Sequence, residues 1–188
     1  VEDPVEYRMP GINQVQVNTK AGMTFAAALR SILRSDPDII LLGEIRDEET
    51  AKIAIESSLT GHLVLSTLHT NDAPSSVTRL IEMGVEPFLV GSALDSVVAQ
   101  RLARRLCGRC KRETVATEVE LRALGVPLTG QEYLVREPVG CPQCSNTGYR
   151  GRIALHEVMA VDDEIERLAS RNAPAAEIAK HAESTGMA

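Results

Sequence analysis

The chain has 188 residues, of which 44% are hydrophobic and 24% are charged, as expected for a globular protein with one main core. Its formal net charge of -6 argues against nucleic acid as a partner, because phosphate-binding proteins usually carry a basic surface. The sequence contains no run of eighteen apolar residues and no signal-peptide pattern. We therefore expect a cytoplasmic protein.

The first half of the chain alternates short apolar runs with helical patterns. Residues 14–18 alternate as a half-buried strand does, and Thr24 is placed to cap a helix that continues to Arg34. Residues 38–42 are rich in apolar side chains, which predicts a strand covered on both faces of a parallel sheet. Asp47 is the expected N-cap of the next helix, which ends near Leu59.

The alternation continues with a predicted strand at residues 62–67. Asp72 and Pro74 then begin a helix that ends at Gly84, and residues 87–106 are predicted to form one longer helix. Strands that alternate with helices indicate right-handed crossovers and a doubly wound parallel sheet. The predicted fold class is therefore α/β.

Glu44 follows the predicted strand 38–42 and Gly43, at the sheet edge where α/β proteins bind ligands. A glycine at this position allows the chain to turn closely around a ligand. In phosphate-loop hydrolases an acid after a buried strand orients Mg²⁺ or the attacking water. The alternative is that Glu44 only pairs with Arg46 or caps a turn.

Two histidines flank the next predicted strand. His69 follows it, so we expect His69 on the same sheet edge as Glu44, where it can sense a terminal phosphate. His62 begins the strand and should lie roughly 17 Å away, which favours an interface or core role.

Two further groups of charged residues are candidates for nucleotide chemistry. Arg30 and Arg34 share one helix face and can bind phosphate oxygens, although their spacing alone is also that of a solvated basic stripe. Glu2, Asp3 and Glu6 suit Mg²⁺ and water, although acidic residues before a proline are also common in turns.

The four cysteines form two C-x2-C pairs separated by thirty residues: Cys107, Cys110, Cys141 and Cys144. Two such pairs can present four thiolates to a structural zinc ion, with free thiols or a redox switch as the alternatives. Because all four positions around the metal are filled, the site would stabilise the fold and not catalyse a reaction. The sequence after this region predicts a strand and two short helices.

The segments "VEDPVEY", "SDPDIILLGEIRD", "TGHLVLSTLHTND" and "VVAQRLARRLC" resemble the Asp box, Walker B segment, His box and following helix of the traffic ATPases of type IV pili and type II secretion. This resemblance implies a RecA-like core, a homohexamer, and hydrolysis of ATP with Mg²⁺. It matches Glu44 to the Walker B acid, Glu2, Asp3 and Glu6 to the Asp box, and His62 and His69 to the His box. It also matches Arg30 and Arg34 to arginines near the nucleotide.

The chain departs from the family in one respect, because no Gly-Lys dipeptide and hence no GxxxxGK[ST] phosphate loop occurs. We expect this loop to precede Val1 in a longer protein, and we expect residues 1–188 alone to be inactive. The predicted parts are a RecA-like core at 1–105, a zinc subdomain at 106–150, and a C-terminal strand and helices at 151–188.

The tetracysteine pattern resembles that of family members that extend pili or drive secretion, whereas retraction motors generally lack it. The resemblance therefore implies an assembly ATPase, with a type II secretion ATPase as the alternative. It also implies an inner-membrane platform protein and a small adaptor as partners. The contrasting hypothesis is a zinc-stabilised binding module that does not hydrolyse ATP.

Overall fold

The structure is a computed structural model that describes residues 1–187. The chain forms two compact units. The main unit consists of Val1–Ala99 and the residues from His156 onward, and the cysteine unit consists of Gln100–Leu155. The three-part division predicted from the sequence stays a prediction.

The main unit contains six helices and two paired strands that lie wholly within its described residues. In chain order these are α1 (Phe25–Leu33), β1 (Ile39–Leu42), α2 (Glu48–Leu59), β2 (Leu63–Ser66), α3 (Pro74–Glu82), α4 (Pro87–Ala93), α6 (Asp163–Ser170) and α7 (Ala175–Ser184). The predicted mixed α/β fold and the helical C-terminal region are thus confirmed. None of the helices described between residues 1 and 187 combines the length and the apolar composition that crossing a bilayer requires.

Side-chain caps explain where several helices begin. The side chain of Thr24 accepts a hydrogen bond from the Ala27 N–H, and the side chain of Asp47 accepts one from the Thr50 N–H. Each bond satisfies a backbone donor in the first turn that has no partner within the helix. The starts of α1 and α2 that were predicted from the sequence are therefore confirmed.

The strands β1 and β2 are parallel, with Ile39 opposite Leu63 and Leu42 opposite Ser66. On the other side of β1, the carbonyl oxygen of Val1 accepts a hydrogen bond of 2.8 Å from the Gly43 N–H. Glu2 in turn forms a parallel bridge with Gln16. The predicted strand at residues 14–18 is present only as isolated bridges.

The described residues cover only one face of β1. Ile40 and Leu42 are 2% and 0% exposed and belong to the main apolar core, whereas Ile39 and Leu41 are 62% and 50% exposed. The prediction that this strand is covered on both faces is therefore wrong for the described part of the chain. No helix within residues 1–187 packs on the second face.

The prediction of one helix over residues 87–106 is also wrong. The helix α4 ends at Ala93, Leu94 is extended, and β3 follows at Ser96–Leu106. The strand β3 pairs with β6 (Tyr149–Ala160). This pairing supplies backbone hydrogen bonds that override the helix preference of the Ala, Gln, Leu and Arg residues in β3.

The cysteine unit contains short elements joined by long loops. Between β3 and β6 these are β4 (Arg112–Val115), α5 (Glu118–Ala123) and β5 (Leu134–Glu137), followed by a single 3₁₀ turn at Pro142–Cys144. The strands β4 and β5 are antiparallel. In α5, Thr117 and Glu120 form a reciprocal capping box, which explains how so short a helix persists.

Candidate functional site

Gly43 lies directly after β1, and the chain itself explains why this residue is a glycine. A Cβ atom at Gly43 would lie 3.1 Å from the carbonyl oxygen of Val1 and 3.4 Å from the Cα atom of Glu2. The sequence predicted that the glycine allows close approach to a ligand. In the structure it allows the close approach of residues 1–2, and this approach positions the acidic opening segment beside Glu44.

The Glu44 side chain is mostly buried, with 13% of its surface exposed. Its Oε2 atom lies 3.4 Å from Nε2 of His69. It also accepts a hydrogen bond of 2.5 Å from Nε of Arg46. The structure therefore brings Glu44 and His69 together at the expected edge of the sheet, and it contains the Glu44–Arg46 pair that the sequence left as an alternative.

Two hydrogen bonds of Thr67 join the ends of β1 and β2. Its Oγ1 atom donates to the carbonyl oxygen of Gly43 at 2.7 Å, and its carbonyl oxygen accepts from the Ile45 N–H at 3.0 Å. These bonds hold the start of the loop that carries His69 against the turn that carries Glu44. Thr67 was missed in the sequence analysis, although its place directly after an apolar run pointed to this edge.

Four carboxylates line a single cavity of about 270 Å³. The lining residues are Glu2, Asp3, Pro4, Glu6, Tyr7, Met9, Gly43 and Glu44. Glu2 is fixed there because its Oε2 accepts a hydrogen bond of 2.9 Å from Nε2 of Gln14. Carboxylate oxygens are the ligand type that Mg²⁺ prefers, but within residues 1–187 only the four cysteines bring their ligand atoms close enough together to hold an ion directly.

The two predicted arginines lie outside this cavity. Arg30 forms an ion pair with Glu49, with 2.6 Å between Nη2 and Oε1. Arg34 follows the last residue of α1, is exposed, and forms no ion pair with another residue in the described range. The structure thus does not bring either guanidinium group to Glu44.

His62 lies at the opposite end of β2 from His69. Its Nδ1 atom is 3.0 Å from the carbonyl oxygen of Ser57 and 3.2 Å from Oγ1 of Thr60. These contacts hold the C-terminal end of α2. The structure therefore separates His62 from the acidic cavity.

The four cysteine sulfurs form a compact cluster in the cysteine unit. All four Sγ atoms lie within 4.8 Å of one another, and three of the separations are 3.9 Å (Cys107–Cys141), 3.8 Å (Cys110–Cys144) and 3.7 Å (Cys141–Cys144). A tetrahedral zinc ion with Zn–S bonds of about 2.3 Å holds its sulfurs about 3.8 Å apart. The cysteines are free thiols and not disulfides, and the cluster fits zinc.

Backbone N–H groups point at these sulfurs, and two glycines make this possible. The N–H of Gly140 donates to Sγ of Cys110 at 3.3 Å, and the N–H of Gly148 donates to Sγ of Cys144 at 3.2 Å. Both glycines have positive φ, and a Cβ atom at Gly148 would lie 2.4 Å from Cβ of Pro138. No other residue fits there without displacing the chain.

The cysteines differ in how readily they ionise. Burial opposes ionisation of Cys144, but hydrogen bonds from the Cys141 and Gly148 N–H groups lower its pKa to about 6. A hydrogen bond from the Arg109 N–H lowers the pKa of Cys107, whereas burial raises the pKa of Cys110 to about 11. Because a metal binds thiolates, zinc binding would displace the proton of Cys110.

Comparison with known protein families gives a match over the whole chain. The family described as "Type II/IV secretion system protein" matches residues 1–188. "Type IV pilus assembly ATPase PilB" of Thermus thermophilus is 55% identical over 188 residues, which are 100% of this chain and 21% of that protein. "Type II secretion system protein HxcR" of Pseudomonas aeruginosa is 54% identical over 187 residues, which are 100% of this chain and 36% of that protein.

Solved structures with a similar fold include a pilus motor and an ATPase. The "Pilus Retraction Motor PilT" with bound ADP matches 98% of this chain and 43% of its own, with a TM-score of 0.66 and 25% identity. The ATPase DotB of Yersinia pseudotuberculosis matches 97% of this chain and 40% of its own, with a TM-score of 0.63 and 20% identity. The chain spans less than half of each protein compared.

Proposed function

The chain belongs to the Type II/IV secretion system protein family, and we propose that it forms the catalytic part of an ATPase that powers the assembly of a type IV pilus. The observation that carries this proposal is the mostly buried carboxylate of Glu44, which lies 3.4 Å from His69 and lines a cavity with three further carboxylates. In this proposal a loop outside residues 1–188 holds the phosphates of ATP.

The proposed roles follow from the positions of the side chains. Glu44 accepts a hydrogen bond from the attacking water and orients it toward the terminal phosphate. Glu2, Asp3 and Glu6 would hold Mg²⁺, and His69 would contact the terminal phosphate oxygens. Bound Mg²⁺ would supply positive charge that offsets the charge developing on the phosphate.

Arg30, Arg34 and His62 are not among the residues that line the acidic cavity. We propose Arg30 and Arg34 as nucleotide-binding residues on the basis of the family resemblance. Arg30 would have to leave Glu49 in order to reach a phosphate. For His62 the contacts with Ser57 and Thr60 support a structural role, and no catalytic step is assigned to it.

We also propose that a zinc ion is bound by the four cysteines in the protein. The sulfur separations near 3.8 Å and the N–H groups that point at the sulfurs support this assignment. Zinc here would stabilise the cysteine unit. Because the four thiolates fill its coordination shell, it would take no part in hydrolysis.

The choice of pilus assembly rests on the named relatives. A relative called an assembly ATPase is 55% identical to this chain, whereas the retraction motor is 25% identical. Type II secretion proteins are 54% and 55% identical, so type II secretion is the second candidate. A homohexamer on the cytoplasmic side of the inner membrane, bound to a platform protein, is the proposed assembly in either case.

The test is ATP hydrolysis by the protein encoded by the complete reading frame, with Glu44→Gln as the variant. We expect kcat to fall by roughly 10²- to 10⁴-fold while nucleotide binding, measured with a fluorescent ATP analogue, is retained. Glu82→Gln is the matched control, because Glu82 is exposed and pairs only loosely with Arg79, at 3.5 Å.

Two outcomes would count against the proposal. Equal losses of binding and turnover in Glu44→Gln would mean that Glu44 does not act on the water. An absence of ATP hydrolysis in the unmodified protein would favour a zinc-stabilised binding module instead.

A further inference from the structure

A carboxylate from a distant part of the chain holds the loop that carries His69. Oε2 of Glu157, in β6, accepts a hydrogen bond of 2.7 Å from the backbone N–H of Ala73. The two residues are 84 positions apart and both belong to the main unit. Ala73 is 0% exposed, so water cannot replace Glu157 as the partner of this N–H without the loop opening.

The same contact is at the start of a helix. Ala73 precedes Pro74, the first residue of α3, and Oδ1 of Asp72 accepts a hydrogen bond of 2.8 Å from the Ser75 N–H. Two carboxylates therefore lie at the N-terminal end of α3, where the helix dipole favours negative charge. A charged acceptor forms a stronger hydrogen bond with a backbone N–H than a neutral one does.

The loop between β2 and α3 is thus held at both ends. At the first end Thr67 bonds to Gly43 and Ile45, and at the second end Ala73 bonds to Glu157. In addition, the hydroxyl group of Thr70, within the loop, lies 2.9 Å from that of Ser76 in α3.

His69 depends on these bonds because packing does not fix it. Its side chain is 84% exposed, and yet its Nε2 atom lies 3.4 Å from the Glu44 carboxylate. A held backbone keeps this exposed side chain within reach of Glu44, although its own rotamers stay accessible. The bonds at the two ends of the loop provide that hold.

We propose that Glu157 is a positioning residue, which fixes the second end of the loop so that His69 is held beside Glu44. This inference rests on the proposed function, because it concerns the efficiency of the same site. Glu157 is not among the residues that line the acidic cavity, so its effect on catalysis would pass through the loop.

The first experiment compares three variants of the complete protein. Glu157→Ala removes the acceptor, and we expect kcat to fall by roughly 10- to 100-fold with little change in the KM for ATP, as for a small misplacement of a catalytic group. Glu157→Gln keeps an oxygen that can accept from Ala73, so it should retain most of the activity. Asp162→Ala is the control, since it removes a carboxylate cap from a different helix, α6.

The control separates positioning from a general loss of stability. If Asp162→Ala reduces kcat as much as Glu157→Ala does, the loss of a helix cap anywhere explains the effect and the proposal is wrong. If folded Glu157→Gln loses as much activity as Glu157→Ala, the hydrogen bond to Ala73 is not what matters, and the proposal is again wrong.

The second experiment is a double-mutant cycle with His69→Ala. If Glu157 acts through His69, the double variant Glu157→Ala/His69→Ala should be no slower than His69→Ala alone. Rate losses that multiply would show that the two residues act independently, and this would overturn the proposal.

The third measurement does not depend on ATP hydrolysis. Amide hydrogen exchange should become faster at residues 68–73 in Glu157→Ala, while exchange in α6 stays unchanged. Unchanged exchange at residues 68–73 would overturn the proposal even in an active enzyme. The two proposals can also be told apart. If the unmodified protein does not hydrolyse ATP, the proposed function is wrong. Faster exchange at residues 68–73 in Glu157→Ala would still show that Glu157 holds the loop.

Discussion

The main unit and the cysteine unit bury different kinds of side chain. In the main unit, α-helices and the β1–β2 sheet enclose a continuous apolar core that includes Leu29, Leu42, Leu80 and Ile178, each 2% exposed or less. In the described residues of the cysteine unit, the buried apolar and sulfur side chains are those of Cys107, Ala116, Leu121 and Cys144. One unit therefore buries a large apolar core, whereas the other has the small core that structural metals typically stabilise.

The two units also differ in charge. Residues 100–155 carry ten basic and five acidic side chains, a formal charge of +5, whereas the rest of the chain carries ten basic and 21 acidic ones. Four thiolates around a zinc ion have a net charge of about -2. The excess of basic residues would offset the charge of such a site, and three of them (Arg105, Lys111 and Arg150) line a cavity of about 310 Å³.

The largest effect should come from removing the metal. A strong chelator, or Cys144→Ser, should abolish the ordered structure of β4 and β5, because structural zinc sites contribute roughly 10 to 16 kcal/mol of apparent binding free energy in peptides. Hydrogen exchange by residue would show loss of protection within residues 107–148, with the main unit still protected. Protection that survives complete zinc loss would mean that the cysteine unit has a sufficient core of its own.

A leucine-to-alanine substitution in each unit should show how much the two apolar cores contribute to stability. Leu29→Ala in the main unit should lower the free energy of unfolding by about 2 to 5 kcal/mol, since Leu29 is fully buried in the large core. Leu121→Ala in the zinc-loaded cysteine unit should cost less, about 2 kcal/mol or below, because fewer apolar groups surround the cavity that is left. Denaturant unfolding, followed separately for each unit, provides the measurement, and equal costs would contradict the comparison.

The smallest effect is a pH-dependent one within the main unit. Asp162 caps α6 through the Ile165 N–H and lies 2.8 Å from Nε2 of His181. The hydrogen bond with His181 is the main cause that holds the pKa of Asp162 below its ordinary value of 3.8, and the bond from Ile165 adds to it.

Because the folded-state pKa is the lower one, the ionised Asp162 stabilises the fold above about pH 4, and this contribution disappears as the pH falls through the folded-state pKa. Asp162→Ala should therefore cost about 1 kcal/mol at pH 7, as is typical of a helix cap. The difference between the two proteins should shrink below pH 4 in thermal melts. A cost that is constant from pH 7 to pH 3 would show that ionisation of Asp162 is irrelevant.

Features with a local cause were predictable from the sequence. Thr24 and Asp47 cap helices within three residues of themselves, so their signals lie in one short window. His69 was expected near Glu44 because successive parallel strands end at the same edge of a sheet. The two C-x2-C pairs predicted the cysteine cluster because each pair is itself a local turn.

Features with a distant cause were not predictable. The residues of β3 suit a helix, and only the pairing with β6, more than forty residues later, makes them a strand. The contact between Glu157 and Ala73 leaves no periodic signal in either segment. The wrong prediction for β1 has another origin. A run of four apolar residues predicts a strand that is buried on both faces, but the described residues pack against only one face of β1.

The placement of the aromatic rings makes the cysteine unit visible to spectroscopy. The chain has no tryptophan and three tyrosines, of which Tyr133 and Tyr149 belong to the cysteine unit. The guanidinium carbon of Arg104 lies 4.1 Å from the centre of the Tyr149 ring, close in sequence to the second cysteine pair. Near-ultraviolet absorption and tyrosine emission therefore report mainly on this unit, and they provide a label-free signal for its metal loading.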